Sequence, residues 1–580
     1  MHRSLCPTPH CRSTASIYSP PRLHESTRVR MKENSFTVAR ALGACVSKWV
    51  IFILLSALFL CNVACQDRDH SLNDTAVVVE NDTAVNITNA SEEDIAVVEG
   101  GTEKMVNGWT SLRVVVSTND LDNPKRCCTL SGQERPDFMG GVAPCGEQDV
   151  LTTEKRLTLT EYTIPGAIRL HYERLGVSMR MDNIIVPDFL SAVCSSFTVP
   201  ESHRSVGVSG ADVILYVAAG PTGRADYAHT RVCALLPSGR PAVGVINFSP
   251  SAISRSRSSL RAAAHEIAHI LGFNNEVMRR LKMISTKVHR GKNSTFVITP
   301  KVVEVARKYY ACKNMDGMQL EDGGNDDVRD SHWKRLFVKD DLMAAVVGAS
   351  YYSALTLAFF HDTGFYRVKW AMAERMRWGN GTGCGLMNGK CMKNNITMFL
   401  DMFCNESVST KLHCTYERQA IGRCALNTYG APLDPDKQYF TRSWIGGNQD
   451  NLMDYCPIVE PYKDSYCEDG RQQLLPGSRV GPNSRCVKGD RLVAFSREVG
   501  DVCAEVYCGR DAVSIRYSGD DSWHVCPEGE YITPTKTFSS GRIICPKREE
   551  VCYNTDMSPP FDPHASVALL FLLTSSRRII

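Results

Sequence analysis

Concentrated charge of either sign is missing from this sequence. Its 66 Lys and Arg stand against 63 Asp and Glu, a formal net charge of +3 over 580 residues. Phosphate binding needs a dense basic field, so nucleic acid is not expected as a partner. An apolar run of membrane-spanning length is also missing, because Trp49 to Ala64 has the length of a signal-peptide core and is short for a span. No internal repeat is evident. The 19 cysteines after Gln66 include no C-x2-C pair, the spacing that thiolate zinc clusters favour. They read instead as a disulfide framework made in an oxidising compartment. Between Gln66 and Val106 there is no cysteine at all.

What is present fits a secreted or surface-displayed protein. Nine sequons, at Asn73, Asn81, Asn86, Asn89, Asn247, Asn293, Asn380, Asn395 and Asn405, accompany the cysteines. Arg40 and Lys48 precede the apolar run, as in a signal region over 1–65, with Met31 an alternative start and an uncleaved signal anchor the competing reading. Residues 66–99, polar and crowded with sequons, read as a pro-region. A chain of this length is too long for one hydrophobic core, so two or three domains are expected. Folded structure is expected from Trp109, with strands over Ser111 to Ser117, Ala211 to Ala219 and Ala242 to Phe248. A helix is expected to open at Thr163-Ile164-Pro165, with Ile168, Tyr172 and Leu175 at helical spacing. After Gly379 glycine, proline and cysteine become frequent, as in a loop-rich domain of short strands.

The chemistry concentrates at His265-Glu266-Ile267-Ala268-His269. Ser258 or Ser259 can cap this helix and Gly272 can stop it. Leu260, Ala264, Ile267 and Leu271 form an apolar stripe that would bury one face. Histidines four residues apart stand one turn above the other, so both can bind one Zn2+. Glu266 lies beside that face, where it can take a proton from a water on the metal. Two unrelated histidines on an exposed helix would give the same five letters. The strand before the helix and the glycine three residues after His269 favour the hydrolase reading. A catalytic zinc takes three protein ligands and keeps one open position. The short metzincin motif would put its third histidine at 275, where this chain has Asn275. The later candidates are His289, His332 and His361, and His332 precedes Asp340-Asp341-Leu342-Met343-Ala344 by a few residues.

These stretches resemble leishmanolysin, a surface metalloprotease family of trypanosomatid parasites. PAVGVINF, HEIAHILGF, DDLMAA, YYSALTLAFFHDTGFY, GCGLMNGKCM, MFCNES and LMDYCP carry the likeness, which runs from about Trp109 to Cys552. The resemblance implies an α+β fold: a zincin-type (metzincin-like) catalytic domain over 100–273, a mainly helical central domain over 274–390 and a β-rich, disulfide-linked domain over 391–555. It implies one Zn2+ per chain held by His265, His269 and His332, with Glu266 as general base and Met343 as the floor of a methionine turn. Protein and peptide substrates are the implied partners, cleaved before hydrophobic residues. Ala345 stands where the family leads one to expect proline beside the specificity pocket, so that preference does not carry over unchanged. A GPI-signal tail is expected over 556–580, where Ala565 to Leu573 is apolar, which would place the chain at the cell surface and on the membrane. The family's latency through a propeptide cysteine cannot arise from residues 66–106, so the form keeping its pro-region is expected to be active or only sterically inhibited. An odd cysteine, Cys127 or Cys128, is expected to be left over from nine disulfides. The sequence assigns no oligomeric state. The rival function is a catalytically dead surface adhesin, disfavoured because both motif histidines, His332 and Glu266 are all present.

Overall fold

The computed structural model describes residues 108–222, 227–406, 411–510 and 512–552. The signal region 1–65, the pro-region 66–99, the tail 556–580 and the sequons at Asn73, Asn81, Asn86 and Asn89 lie outside the described residues.

The run Ser111 to Ser117 is not one strand. Strand β1 (Trp109–Ser111) and strand β2 (Val114–Ser117) belong to different sheets. Between them Arg113 binds Asp212 through its backbone N at 3.0 Å and its Nε at 2.9 Å, which leads the chain from one sheet into the other. Helix α1 (Ile164–Tyr172) has Pro165 in its first turn and buries Ile164, Ala167, Ile168 and His171, but the helix does not open there as expected: it continues without a break from Thr153–Leu157 through a π-helical Thr158–Thr163. It stops short of Leu175, which begins β3 (Leu175–Ser178), the antiparallel partner of β1. Strands β4 (Val213–Ala218), β5 (Ala228–Leu235) and β6 (Pro241–Phe248) then complete a four-stranded sheet with β2, in the order β2-β4-β6-β5. The first three are parallel, and β5 runs antiparallel along the edge.

Both faces of this sheet are covered, which explains the near-continuous apolar runs in β4 and β6. Successive strand residues point to opposite faces. Val213, Leu215 and Val217 meet the core formed by α1 and the motif helix. Ile214, Tyr216 and Ala218 meet a second core around Phe138, Ile184 and Phe197. Strand β5 is half-exposed and mixed in polarity, so its sequence gave no strand signal.

Helix α2 (Arg257–Ile270) carries the motif histidines and packs across this sheet and against α1. A side chain at Gly244 of β6 would place its Cβ 2.4 Å from Ile270 Cγ2, so glycine is what lets the helix lie this close. The expected apolar stripe is buried at Ala264, Ile267 and Leu271, while Leu260 is half-buried.

The central segment is less uniformly helical than the resemblance implied. Besides α3 (Pro300–Tyr310) and α4 (Ala354–Asp362), it holds a hairpin of Ile284–His289 with Lys292–Val297, extended by Met318–Gln319. Apolar residues of this segment, among them Trp333, Tyr351 and Phe359, continue the core of the motif helix without a break.

Residues 391–552 form short antiparallel strands, including one four-stranded sheet built from Ser484–Val487, Val502–Cys508, Val513–Arg516 and His524–Cys526. Nine disulfides join the described cysteines in pairs, and Cys127 alone is left free, and buried. The sequon at Asn247 does not fit a glycan. Its side chain is fully buried in β6 and bonded to Gly220 through both Oδ1 (2.7 Å) and Nδ2 (3.3 Å). Asn293, Asn380, Asn395 and Asn405 are exposed. Among the described residues no helix is long and apolar enough to cross a membrane.

Candidate active site

The motif helix is fixed at both ends. Its cap is Ser256, not Ser258 or Ser259: the Ser256 side chain accepts from the backbone N of Ser259 at 3.2 Å. Asp469 from the C-terminal part accepts the backbone N of Arg257 at 3.0 Å, a negative charge at the positive end of the helix dipole. At the other end Gly272 adopts φ +119°. That turn lets Gly272 N reach His269 O (3.1 Å) and Phe273 N reach Ala268 O (3.0 Å), closing a Schellman motif.

The same turn orients the second histidine, because Phe273 O receives His269 Nδ1 at 2.6 Å. His265 Nδ1 binds Leu342 O at 2.6 Å, and His332 Nδ1 binds Val328 O at 2.9 Å. A carbonyl oxygen only accepts, so each Nδ1 must carry the proton and each Nε2 keeps a free lone pair. The three Nε2 atoms converge, 3.0 Å apart for His265–His332 and 3.1 Å for the other two pairs. Burial pushes His265 down to about 4 and His332 to about 3. It also lowers His269 well below the ordinary imidazole range. The imidazoles are thus neutral near pH 7, and three lone pairs face one another with no proton to share. A cation relieves that repulsion. Nitrogens bound tetrahedrally at ~2.0–2.1 Å from zinc would lie about 3.3 Å apart, close to the spacing found. These three histidines form a group able to hold a metal ion. The second such group, Cys414, Cys486 and Asp501, has its sulfurs committed to a disulfide.

Glu266 follows His265 on α2 and is half-buried. Met343 is fully buried. Its carbonyl accepts Trp333 N at 2.9 Å, which ties it to the residue after His332. The neighbouring Leu342 carbonyl already holds His265, so one turn orients two of the three rings. Asp341 shapes that turn, accepting Met343 N at 2.7 Å and Thr356 Oγ1 at 2.6 Å, and it also binds Ser353 Oγ. Burial pushes its carboxyl up to about 6 against the pull of those donors.

The two other histidine candidates lie elsewhere. His289 is in a strand, half-buried, with Nε2 on Met387 O at 3.0 Å. His361 is exposed at the end of α4, where it pairs with Asp362 at 3.2 Å.

Several supports gave no readable motif. His171 on α1 binds Ala264 O through Nε2 at 2.9 Å and Tyr352 OH through Nδ1 at 3.2 Å, linking α1 to the motif helix one residue before His265. Arg261, one turn before His265, grips Glu374 through both Nη atoms at 2.5 and 2.6 Å. Burial alone would raise Glu374, but Arg261 and then Arg174 bring it down to about 2. Lys334, two residues after His332, is buried against Glu321 (2.8 Å), Asp454 (2.7 Å) and Asp322. Burial alone would lower it, but Asp454, Glu321 and Asp322 together hold it above the ordinary lysine range.

Comparison with known proteins identifies the family. A family profile described as Leishmanolysin matches residues 62–558. The chain is 34% identical over 467 residues to a leishmanolysin of Leishmania major, covering 77% of this chain and 76% of that protein. It is 36% identical over 463 residues to a leishmanolysin of Leishmania chagasi, covering 77% of each. With a leishmanolysin homolog of Crithidia fasciculata the identity is 32% over 465 residues, covering 77% of this chain and 71% of the other.

Proposed function

Because the chain belongs to the leishmanolysin family of zinc metalloendopeptidases, we propose that His265, His269 and His332 hold its zinc and that Glu266 is its general base. The convergence of three neutral, buried Nε2 atoms within 3.0–3.1 Å carries this reading. Zinc bound there supplies a Lewis acid, which brings the pKa of a water toward ~7 and polarises a peptide carbonyl. The Glu266 carboxylate accepts the proton of the attacking water and passes it to the leaving amine nitrogen. The carbonyls of Leu342, Phe273 and Val328 keep the imidazole rings in one tautomer and one orientation throughout, as outer partners of metal ligands do. Met343, fully buried, would form the apolar floor of the site.

Ala345 and Val346, half-buried, and Val347, exposed, come soon after Met343, and Ala345 stands where the family would place a proline. A hydrophobic residue after the scissile bond would pack there. The disulfides and the exposed sequons suit a secreted or surface-displayed enzyme, held to the membrane through a GPI signal over 556–580. Metal content and activity of three purified variants test the ligand set. His332→Ala should lose zinc and peptide hydrolysis together, and His289→Ala and His361→Ala should keep both. Zinc retained in full by His332→Ala refutes the assignment.

A further inference from the structure

The four-stranded sheet near the end of the described chain has one face turned to the interior and one to the outside. Val506, Val513, Ile515 and Cys526 point inward into a local core. On the outer face Tyr507 pairs across the sheet with Ser514, and Ser514 with Val525, so the three form one row. Trp523 lies beside this row, its ring 6.0 Å from that of Tyr507 and with the Arg516 guanidinium 4.7 Å from its centroid. Tyr507 is 54% exposed, Trp523 44% and Val525 66%. Tyr507, Trp523 and Val525 leave apolar area in water that nothing among the described residues covers.

The charges around it are matched. Glu505 on the same face is met by Arg479 Nε at 3.0 Å and Arg516 Nε at 2.8 Å. Asp521 takes Arg479 Nη1 at 2.7 Å. A face of amphipathic aromatics with paired charges suits the headgroup level of a bilayer, where Tyr and Trp concentrate. A strongly anionic surface is not required.

The covalent path of the chain leads to the same place. The disulfide Cys508–Cys552 joins the last described residue to the neighbour of Tyr507. Residues 553–564 separate Cys552 from the apolar run Ala565 to Leu573. Those twelve residues reach at most about 40 Å even fully extended, and attachment at Asn554, Asp556 or Ser558 would shorten the path. The apolar run is removed when a GPI anchor is attached, so the anchor joins the chain a few residues after Cys552 and the bilayer that holds it lies within reach of this face, at high effective concentration.

We propose that the face of Tyr507, Trp523 and Val525 rests on the lipid surface to which the C-terminal segment anchors the chain. The inference rests on the anchoring reading above. The test uses the full chain, purified with its anchor and placed in phosphatidylcholine vesicles with or without bromine high on the acyl chains. Of the chain's seven tryptophans, Trp49 leaves with the signal region, so the anchored chain has six. Brominated lipid should remove up to about one sixth of the emission in wild type and none of that fraction in Trp523→Phe. The pair Tyr507→Ser with Val525→Ser should at least halve the loss while keeping Trp523. Equal loss in wild type and Trp523→Phe, in a chain that floats with the vesicles, overturns this proposal and leaves the anchoring reading standing. So does a floating chain with no loss at all, as expected if a second copy covers the face. A chain that does not float overturns both.

Discussion

Residues 108–390 and 391–552 are held together in different ways. The first part carries the histidines and rests on two apolar cores, one on each face of the sheet, with three disulfides. The second is shorter, joins the larger of these cores through Met402, Tyr439 and Ile458, has two small cores of its own and carries six disulfides. Close packing fixes side chains to fractions of an ångström, which three nitrogens meeting at one point require. Cross-links restrict the unfolded chain and leave the folded surface free to vary. The second part still reaches the first at defined points. Asp469 caps the motif helix, Asp454 meets Lys334 beside His332, and Glu417 holds the buried Lys339 at 3.0 Å. The C-terminal part thus braces the histidine cluster without supplying any of its three rings.

The largest expected effect separates chemistry from architecture. Glu266→Gln keeps the shape of a half-buried side chain but removes its basicity, so peptide hydrolysis should fall on the order of 10²–10⁴-fold. Bound zinc and melting temperature should stay at wild-type values. Activity within a few-fold of wild type would move the general base elsewhere and break the division of labour described above.

Next comes the staple of the second part. Replacing Cys414 and Cys486 together by Ala opens a link spanning 72 residues and should cost about 2–5 kcal/mol, read from urea unfolding. The comparison predicts an order of events: protease sensitivity should appear first within 391–552, while the metal remains bound. Loss of zinc in step with the first cleavage would show instead that the two parts unfold as one.

The site was largely legible in the sequence because its chemistry is local. His265 and His269 share one helix face, with Glu266 beside it. Once the resemblance was seen, the stretch around Asp340 to Ala344 pointed to His332 and Met343. The supports were not legible. Leu342 O, Phe273 O and Val328 O are main-chain atoms and carry no residue signature. His171 and Glu374 reach the helix from distant parts of the chain. Strand β5 escaped notice because an edge strand lacks apolar alternation. The sequon at Asn247 misled because three letters do not report burial. The disulfide pairing was closed to sequence reading, since spacing alone permits many connectivities.

A smaller, pH-dependent effect tests how the packed part is braced. Glu374 faces Arg261 and Arg174, accepts the backbone N of Tyr352 at 2.7 Å, and lies near the buried Asp341. Its folded pKa of about 2 is below the 4.5 of a free glutamate. The pairing therefore stabilises the fold fully above about pH 4.5, and this stability is lost as pH falls toward 2. The shift corresponds to roughly 3 kcal/mol. Glu374→Gln should be less stable than wild type by about that amount at pH 7, with the gap closing below about pH 4. A gap that stays constant down to pH 2.5 would mean the ion pair is not its source.

The smallest effect is expected at Cys127, the free thiol of the packed part. It is buried beside the Cys128–Cys145 disulfide, its Sγ 3.4 Å from Asn123 O, and burial raises its pKa. Thiolate is the reactive form, so this sulfur should be inert in the folded protein. A disulfide reagent should titrate no thiol natively and one after denaturation. Cys127→Ser keeps a donor for Asn123 O and should cost only about 0.5–1 kcal/mol. It should also leave catalysis unchanged, because Cys127 makes no contact with the three histidines. The absence of cysteine between Gln66 and Val106 gives this residue a second meaning. If latency depended on a thiol, Cys127 would be the one free cysteine of the described chain able to supply it. A chain purified with residue 70 still present should therefore show no rise in activity with a mercurial. A large rise that disappears in Cys127→Ser would show that this part of the fold opens enough to present a buried sulfur to the metal. The contrast between a rigid packed half and a cross-linked one would then fail where it is most strongly drawn.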